Sequence, residues 1–170
     1  ASSQTKTKSQ LLGKTYKSET IHHQYQDHKA TVIVFLSAYC PCSNSHTEIL
    51  KGLNRKFPKI SFIGVHSNSN EKRAKAIKNF KEKDFGFPII KDTNGKIARS
   101  FGAVKTPHVF IINQQGKTIY TGSVTNASLA NESTENYLLE VLTEIQSGKE
   151  ISHPQRKTLG CYIVLDGMEA

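Results

Sequence analysis

The chain has 170 residues, with 23 Lys and Arg, 14 Asp and Glu, and a formal net charge of +9 at pH 7. This length fits one domain of about 100–200 residues, and no apolar run approaches the roughly 18 residues that a membrane span needs. Three cysteines are too few for the disulfide framework of a small secreted domain. Their odd number instead predicts one pair and a further free or exchanging thiol.

Most of the excess positive charge lies in residues 51–96. Aromatic side chains that could stack on bases do not alternate with these basic residues, so we predict no nucleic-acid partner. The basic residues share one stretch with acidic ones, as on a solvated helix face: Lys72, Arg73, Lys75, Lys78, Lys81 and Lys83 with Glu71, Glu82 and Asp84.

Residues 1–14 are polar except for Leu11 and Leu12. Such a segment buries too little apolar surface to order itself, so we predict a flexible N-terminal segment. It lacks the apolar stretch of a signal peptide. Its small first residues would suit a mature chain after cleavage.

A βαβα pattern follows. Thr31–Leu36 and Ile60–Val65 are β-branched and apolar runs, typical of strands buried on both faces. Helical spacing covers residues 43–57 and 71–83, and in the second of these it predicts an inner face of Ala74, Ile77 and Phe80. This order predicts parallel strands joined by crossovers.

The second half predicts a hairpin and a closing helix. Val109–Ile112 and Thr118–Tyr120 flank a loop that contains glycine, which indicates a β-hairpin. The other elements are a short strand over 87–90, a brief helix over 94–101, and a helix over 135–145. We predict one domain over residues 15–148 and a C-terminal tail over 149–170.

The Cys40-Pro41-Cys42 segment lies between the first buried strand and its helix. A cysteine at a helix N-terminus is favoured as the thiolate, because unpaired N–H groups point toward it. Pro41 suits the first helical position, since its missing N–H would be unpaired there anyway. Two thiols in this setting predict redox chemistry.

The sequence leaves three disulfide pairings open: Cys40–Cys42, Cys40–Cys161 and Cys42–Cys161. A Cys40–Cys42 bond requires Cys40 to stay in the loop, because helical residues two apart point away from each other. Cys161, on what we expect to be a mobile tail, offers a second partner for either thiol. Cys42 is near enough in sequence to resolve a mixed disulfide on Cys40.

Thr106-Pro107 immediately precedes the Val109–Ile112 strand, where a cis X–Pro bond is a usual reason for a specific turn. Together with the run from Val34 to Cys40, it resembles the thioredoxin-like superfamily over roughly residues 30–145. The Cys-Pro-Cys-Ser segment and the terminal Gly160–Ile163 are similar to the redoxin branch related to alkyl hydroperoxide reductase and thiol-specific antioxidant (AhpC/TSA) proteins.

The resemblance implies a thioredoxin-like three-layer α/β/α fold with a central mixed sheet and a C-terminal tail carrying the third cysteine. It implies that Cys40 is the attacking thiolate, that Pro107 lines the substrate groove, and that the Thr106 backbone pairs with an extended polypeptide. We expect Tyr39 and Pro41, which flank Cys40, to contact the substrate as well.

The chain also departs from the family pattern. Ser43 stands where the usual second cysteine lies, and Val34 stands at the position of the buried acid of thioredoxins. His46 falls where membrane-anchored thiol reductases of this superfamily place a glutamate. A histidine there predicts a proton carrier, since its pKa lies near the working pH.

These features predict a thiol–disulfide oxidoreductase acting on protein partners, with Cys40 as nucleophile and Cys42 or Cys161 as resolver. One alternative is a thiol peroxidase. Ser37 lies three residues before Cys40, and this spacing resembles the Thr/Ser-x-x-Cys motif that binds peroxide in peroxiredoxins. A second is copper handling by Cys40, Cys42 and one of His46, His66 or His108. We expect no resident cofactor or metal, and an extracytoplasmic, periplasmic location with the cytoplasm as the alternative.

Overall fold

A computed structural model describes residues 9–167 of the chain. Its centre is a seven-stranded mixed sheet in the order β2-β1-β5-β4-β3-β7-β8. The strands are β1 (Gln10–Thr15), β2 (Thr20–Gln24), β3 (Ala30–Leu36), β4 (Ile60–His66), β5 (Ile89–Lys91), β7 (His108–Ile112) and β8 (Thr118–Gly122). A separate two-stranded ladder joins β6 (Lys105–Thr106) to β9 (Cys161–Tyr162).

The pairing of the central strands agrees with the sequence pattern. Strand β4 runs parallel to both β3 and β5, as the predicted βαβα order requires. Strands β7 and β8 form the predicted antiparallel hairpin, and β7 lies antiparallel beside β3. All seven residues of β3 are buried. The strand that leads to Cys40 is therefore the rigid centre of the sheet.

The described residues form five α-helices: α1 (Pro41–Ser45), α2 (Thr47–Lys56), α3 (Arg73–Lys83), α4 (Lys96–Phe101) and α5 (Tyr137–Gln146). The single helix predicted over residues 43–57 is interrupted at His46, whose φ of −93° and ψ of 1° are not helical. The inner face predicted for α3 is partly wrong. Ala76 and Phe80 are its buried residues, whereas Ala74 is exposed and Ile77 is partly buried.

Two apolar cores lie on opposite faces of the sheet, because side chains of each strand alternate between them. Helices α2, α3 and α5 cover one face through residues such as Leu50, Phe80 and Leu142. Helix α4 and the tail cover the other face, where Ile163 and Leu165 are buried. The predicted three-layer α/β/α arrangement is confirmed.

The prediction of a flexible segment over residues 1–14 is wrong for residues 10–14. They lie in β1, which pairs antiparallel with β2 and, at its end, with β5. The backbone hydrogen bonds of this ladder and burial of Leu11 compensate for the polar composition. Residues 1–8 lie outside the described part of the chain.

The C-terminal tail is packed against the domain over residues 149–167, contrary to the mobile tail that we expected. Its first part follows β8, where the Thr121 N–H donates to the Pro154 carbonyl and the Arg156 N–H donates to the Thr121 carbonyl, both at 3.0 Å. It then crosses to β6 and continues to Ser69, whose N–H donates to the Val164 carbonyl at 2.8 Å. Over residues 9–167, no helix has the length and apolar character to span a membrane.

Candidate active site

Cys40 lies at the junction where the buried strand β3 gives way to helix α1. Its backbone is extended, with φ −66° and ψ 124°, and Pro41 takes the first helical position after it. Cys40 therefore lies in the loop before the helix, as a Cys40–Cys42 disulfide would also require. Cys40 is buried, with 8% of its surface exposed.

Ser37 organises the loop before Cys40. Its hydroxyl oxygen accepts the N–H of Cys40 at 2.9 Å and that of Tyr39 at 3.1 Å. Ser43, at the position of the usual second cysteine, completes the loop from the other side, since its Oγ accepts the Ser37 N–H at 2.9 Å. Both serines are buried. Ser43 thus stabilises the loop that carries Cys40.

A buried polar network lies beneath this loop. The Glu71 carboxylate accepts hydrogen bonds from the Ser37 hydroxyl and from the Ala38 N–H, the latter at 2.8 Å. It also lies 2.7 Å from Nε2 of His66, whose Nδ1 lies 2.5 Å from the Tyr16 hydroxyl. Burial raises the pKa of Glu71, but hydrogen bonds from His66, Ser37 and Ala38 outweigh it and hold that pKa below its ordinary value. Glu71 is therefore an ionised support of the loop.

The structure contains a disulfide between Cys40 and Cys161, which are 121 residues apart in sequence and 6.3 Å apart between Cα atoms. Cys42 is the free cysteine of the three and is partly exposed. The three sulfur atoms all lie within 4.8 Å of one another. Of the three pairings that the sequence left open, the structure therefore contains Cys40–Cys161, with a third thiol beside it.

The Thr106–Pro107 peptide bond is cis, as predicted. Both residues are buried, and Thr106 belongs to the short strand β6. Strand β9 pairs with β6 in antiparallel register, with Cys161 opposite Thr106 and Tyr162 opposite Lys105. In this structure the Thr106 backbone pairs with the chain's own tail, and its predicted pairing with a substrate stays a prediction.

His46 is buried rather than exposed, with 1% of its surface accessible. Its Nδ1 donates to the Cys42 carbonyl at 2.8 Å, and its Nε2 lies 2.7 Å from the Thr125 hydroxyl oxygen. Burial lowers the pKa of His46, although the hydrogen bond to Cys42 acts in the opposite direction. In this state both ring nitrogens are occupied. Its predicted role in proton transfer stays a prediction.

The other residues expected at the site differ in exposure. Tyr39 is 40% exposed and Pro41 is exposed beside it, so both lie where a partner can touch them. The histidines proposed as copper ligands are occupied elsewhere. His66 contacts Tyr16 and Glu71, and the Nδ1 of His108 accepts the Val104 N–H at 3.3 Å. Among residues 9–167, the compact group of soft ligands consists of the three cysteines.

Glu71 is the functional residue that sequence reasoning missed. Its position among basic residues indicated a solvated helix face, yet it precedes α3 and its side chain is 5% exposed. A signal was available in the sequence. His66 and Glu71 lie at the carboxyl end of a buried strand adjacent to β3, which is where polar residues of an α/β sheet converge.

The chain is similar to known proteins in sequence family and in fold. The family model described as Redoxin matches residues 4–138, and the chain belongs to that family. The thiol-disulfide oxidoreductase ResA of Bacillus thuringiensis subsp. konkukian (strain 97-27) is 28% identical over 121 residues, which cover 69% of this chain and 64% of ResA. The chain thus spans less than two thirds of that relative.

Solved structures show the same fold at low sequence identity. A hypothetical protein from Sinorhizobium meliloti 1021 superposes with a TM-score of 0.83 at 20% identity, covering 94% of this chain and 92% of that one. The exposed lipoprotein thioredoxin of Streptococcus pneumoniae strain TIGR4 gives a TM-score of 0.63 at 16% identity, over 79% of this chain and 98% of the other. The predicted thioredoxin-like fold is confirmed.

Proposed function

We propose that this redoxin is a thiol–disulfide oxidoreductase that exchanges disulfides with protein partners. The observation that carries the proposal is the Cys40–Cys161 disulfide, formed between the loop at the end of β3 and a strand seated beside the cis-proline. The sulfur of Cys42 lies in the same cluster. This arrangement joins a nucleophile, a resolver and a surface for an extended chain at one place.

In the reducing direction, the Cys40 thiolate attacks one sulfur of a partner disulfide. A Cys40–partner bond forms as the partner's own S–S bond breaks, and the second partner sulfur leaves as a thiolate. The Cys161 thiolate then attacks Cys40, which forms the intramolecular disulfide and releases the partner's first sulfur. Two electrons pass to the partner, and the protons of Cys40 and Cys161 balance the two partner thiolates. The reverse sequence oxidises the partner, and Cys42 is the alternative resolver.

Two observations favour this chemistry over the alternatives. The Ser37 hydroxyl, which a peroxidase would offer to peroxide, accepts from the Cys40 N–H and donates to Glu71. The histidines that a copper site of the predicted type requires are held in hydrogen bonds of their own, and the cluster consists of sulfur atoms. Disulfide exchange uses the Cys40–Cys161 pair as the structure presents it, with Cys42 as the alternative resolver.

We further propose an extracytoplasmic, periplasmic location, with the cytoplasm as the alternative. An intramolecular disulfide persists most readily in an oxidising compartment. Fractionation of the natural host, probed with marker proteins for each compartment, tests this. Recovery of the protein with the cytoplasmic marker would contradict it.

The Cys40→Ser variant tests the activity directly. We expect it to lose reduction of insulin disulfides, because no other thiol is placed at the end of β3 to form the first mixed disulfide. The measurement is insulin turbidity with a small dithiol as electron donor, alongside the unmodified protein.

Two matched variants serve as controls in the same assay. Cys42→Ser keeps the Cys40–Cys161 pair and is expected to retain activity. The double variant Cys42→Ser/Cys161→Ser lacks both resolvers and is expected to accumulate a mixed disulfide between Cys40 and the partner. Full activity in Cys40→Ser would refute the proposed function.

A further inference from the structure

The tail occupies the backbone edge that a polypeptide substrate of this site would use. Cys161 and Tyr162 pair with Thr106 and Lys105, and the Ile163 N–H donates to the Val104 carbonyl at 2.9 Å. A strand added to this edge satisfies its backbone groups, as in other cases of peptide recognition by strand addition. While the tail is seated, the same groups are unavailable to a second chain.

The tail is fixed on both sides of this contact. Before it, the Leu159 N–H donates to the Ser123 hydroxyl at 2.7 Å. After it, Ile163 and Leu165 are buried in the second core, with exposures of 3% and 8%. The Lys105 ammonium lies 4.9 Å from the centre of the Tyr162 ring, on the exposed side. The segment is therefore seated as a bound peptide would be, with buried anchors and an exposed edge.

Gly160, directly before the tail cysteine, has no room for a side chain. A Cβ at this position would lie 2.8 Å from the Thr106 carbonyl carbon and closer still to its oxygen, a distance that real Cβ atoms do not adopt. The obstacle is backbone beside the cis-proline, not the end of a flexible side chain. Its φ of +137° also disfavours other residues. The groove thus favours a cysteine that is preceded by a residue without a side chain.

We infer that the tail is a built-in substrate mimic, which closes the groove in the oxidised protein and shows that its substrates are extended polypeptides with glycine directly before the reactive cysteine. This inference rests on the proposed function, since it names the substrate class of the same site. Reduction of Cys40–Cys161 by a dithiol, with two electrons and two protons, breaks the covalent bond between the tail and Cys40. A Gly-Cys segment of a partner then pairs with Val104–Thr106 in its place.

The first experiment tests how the tail is seated in the full-length protein. Gly160→Ala is compared with Gly167→Ala, which also has a positive φ, of +86°, and lies on the same tail, but faces open space. The fraction of protein with the Cys40–Cys161 disulfide is measured by thiol alkylation across a series of glutathione redox buffers.

We expect the equilibrium constant for this disulfide to fall about tenfold in Gly160→Ala, because the backbone must shift to admit the Cβ. In Gly167→Ala we expect it to stay within about twofold. The positive φ strains that residue, but no atom lies near the added Cβ, and the position follows the buried Leu165 rather than adjoining Cys161. Equal constants in the two variants would overturn the inference that the tail is seated through Gly160.

The second experiment leaves position 160 unchanged and varies the substrate instead. Peptides of sequence Gly-Cys-Tyr-Ile and Ala-Cys-Tyr-Ile, each with its cysteine in a disulfide with thionitrobenzoate, react with reduced Cys161→Ser protein. Cys40 forms a bond to the peptide sulfur, the peptide–thionitrobenzoate bond breaks, and the coloured thionitrobenzoate anion leaves. We expect the glycine peptide to react about tenfold faster.

Free glutathione with the same two peptides gives the intrinsic reactivity ratio. If the protein shows the same ratio as glutathione while both peptides react rapidly, the inference fails and the proposed function stands. If neither peptide reacts faster with the protein than with glutathione, the proposed function itself fails. If the protein prefers the glycine peptide and glutathione does not, the result supports both the inference and the proposed function.

Discussion

The Glu71 carboxylate connects three parts of the site at the scale of single residues. It accepts from the Ser37 hydroxyl and the Ala38 N–H on the loop before Cys40, and it lies against His66 on β4. Because Ser37 in turn accepts the Cys40 N–H, the position of the nucleophile depends on a charge that never touches the sulfur.

The Glu71→Gln variant tests this support. We expect a loss of about 1.5–3 kcal/mol in the free energy of unfolding at pH 7, since hydrogen bonds to a charged group are replaced by neutral ones. The pKa of Glu71 is lowered in the folded protein, so its stabilisation is present above the unfolded pKa and disappears as pH falls through the lower folded value. Urea titrations at pH 7 and below pH 4 measure both effects.

The variant should therefore differ from the unmodified protein at pH 7 and approach it in acid. A difference of the same size at both pH values would contradict the role of the ionised carboxylate.

At the scale of elements, His108 joins strand β7 to the segment that carries β6. Its Nδ1 accepts the Val104 N–H, so its proton lies on Nε2, which is 3.1 Å from the Thr121 hydroxyl oxygen on β8. Burial lowers the pKa of His108 to about 4. Protonation would place a proton on Nδ1, facing a donor, and would break the contact with the segment leading to β6.

Because the folded pKa of His108 is below the unfolded value of about 6.5, the folded state binds fewer protons, and stability falls as pH drops from about 6.5 to about 4. His108→Gln should reduce this decline, which urea unfolding at several pH values measures. Burial also lowers the pKa of His23 to about 4, and this residue contributes equally to the pH dependence of stability in both proteins. An unchanged slope in the variant would show that His108 is not neutral and buried as described.

The elements themselves were largely predictable, because their signals are local. The apolar run of β3, the Cys-Pro-Cys junction and the glycine-containing hairpin each depend on neighbours in sequence. The start of α3 was harder to predict, since Glu71 fits a helical pattern but is held by Ser37, a contact across 34 residues. Strand β1 was missed because its composition is polar and its stability comes from pairing with β2 and β5.

At the scale of the whole molecule, the tail has two functions: it completes the second core, and it closes the site. Its apolar residues Ile163 and Leu165 cover the face of the sheet that α4 leaves open. The same segment brings Cys161 to Cys40 across 121 residues of sequence. Local patterns identified all three cysteines as redox candidates, but only the packed tail decides which two meet, because that choice depends on contacts distant in sequence.

Disulfide mapping of the oxidised full-length protein tests the central claim most directly. Free thiols are alkylated, the protein is digested with trypsin, and the linked peptides are sequenced by mass spectrometry. Cys40 and Cys42 fall in one tryptic peptide, but fragment ions on either side of Pro41 distinguish them. We predict that this peptide is joined to the one beginning at Thr158 through Cys40 and Cys161, with Cys42 alkylated. A dominant Cys40–Cys42 or Cys42–Cys161 bond would contradict the account.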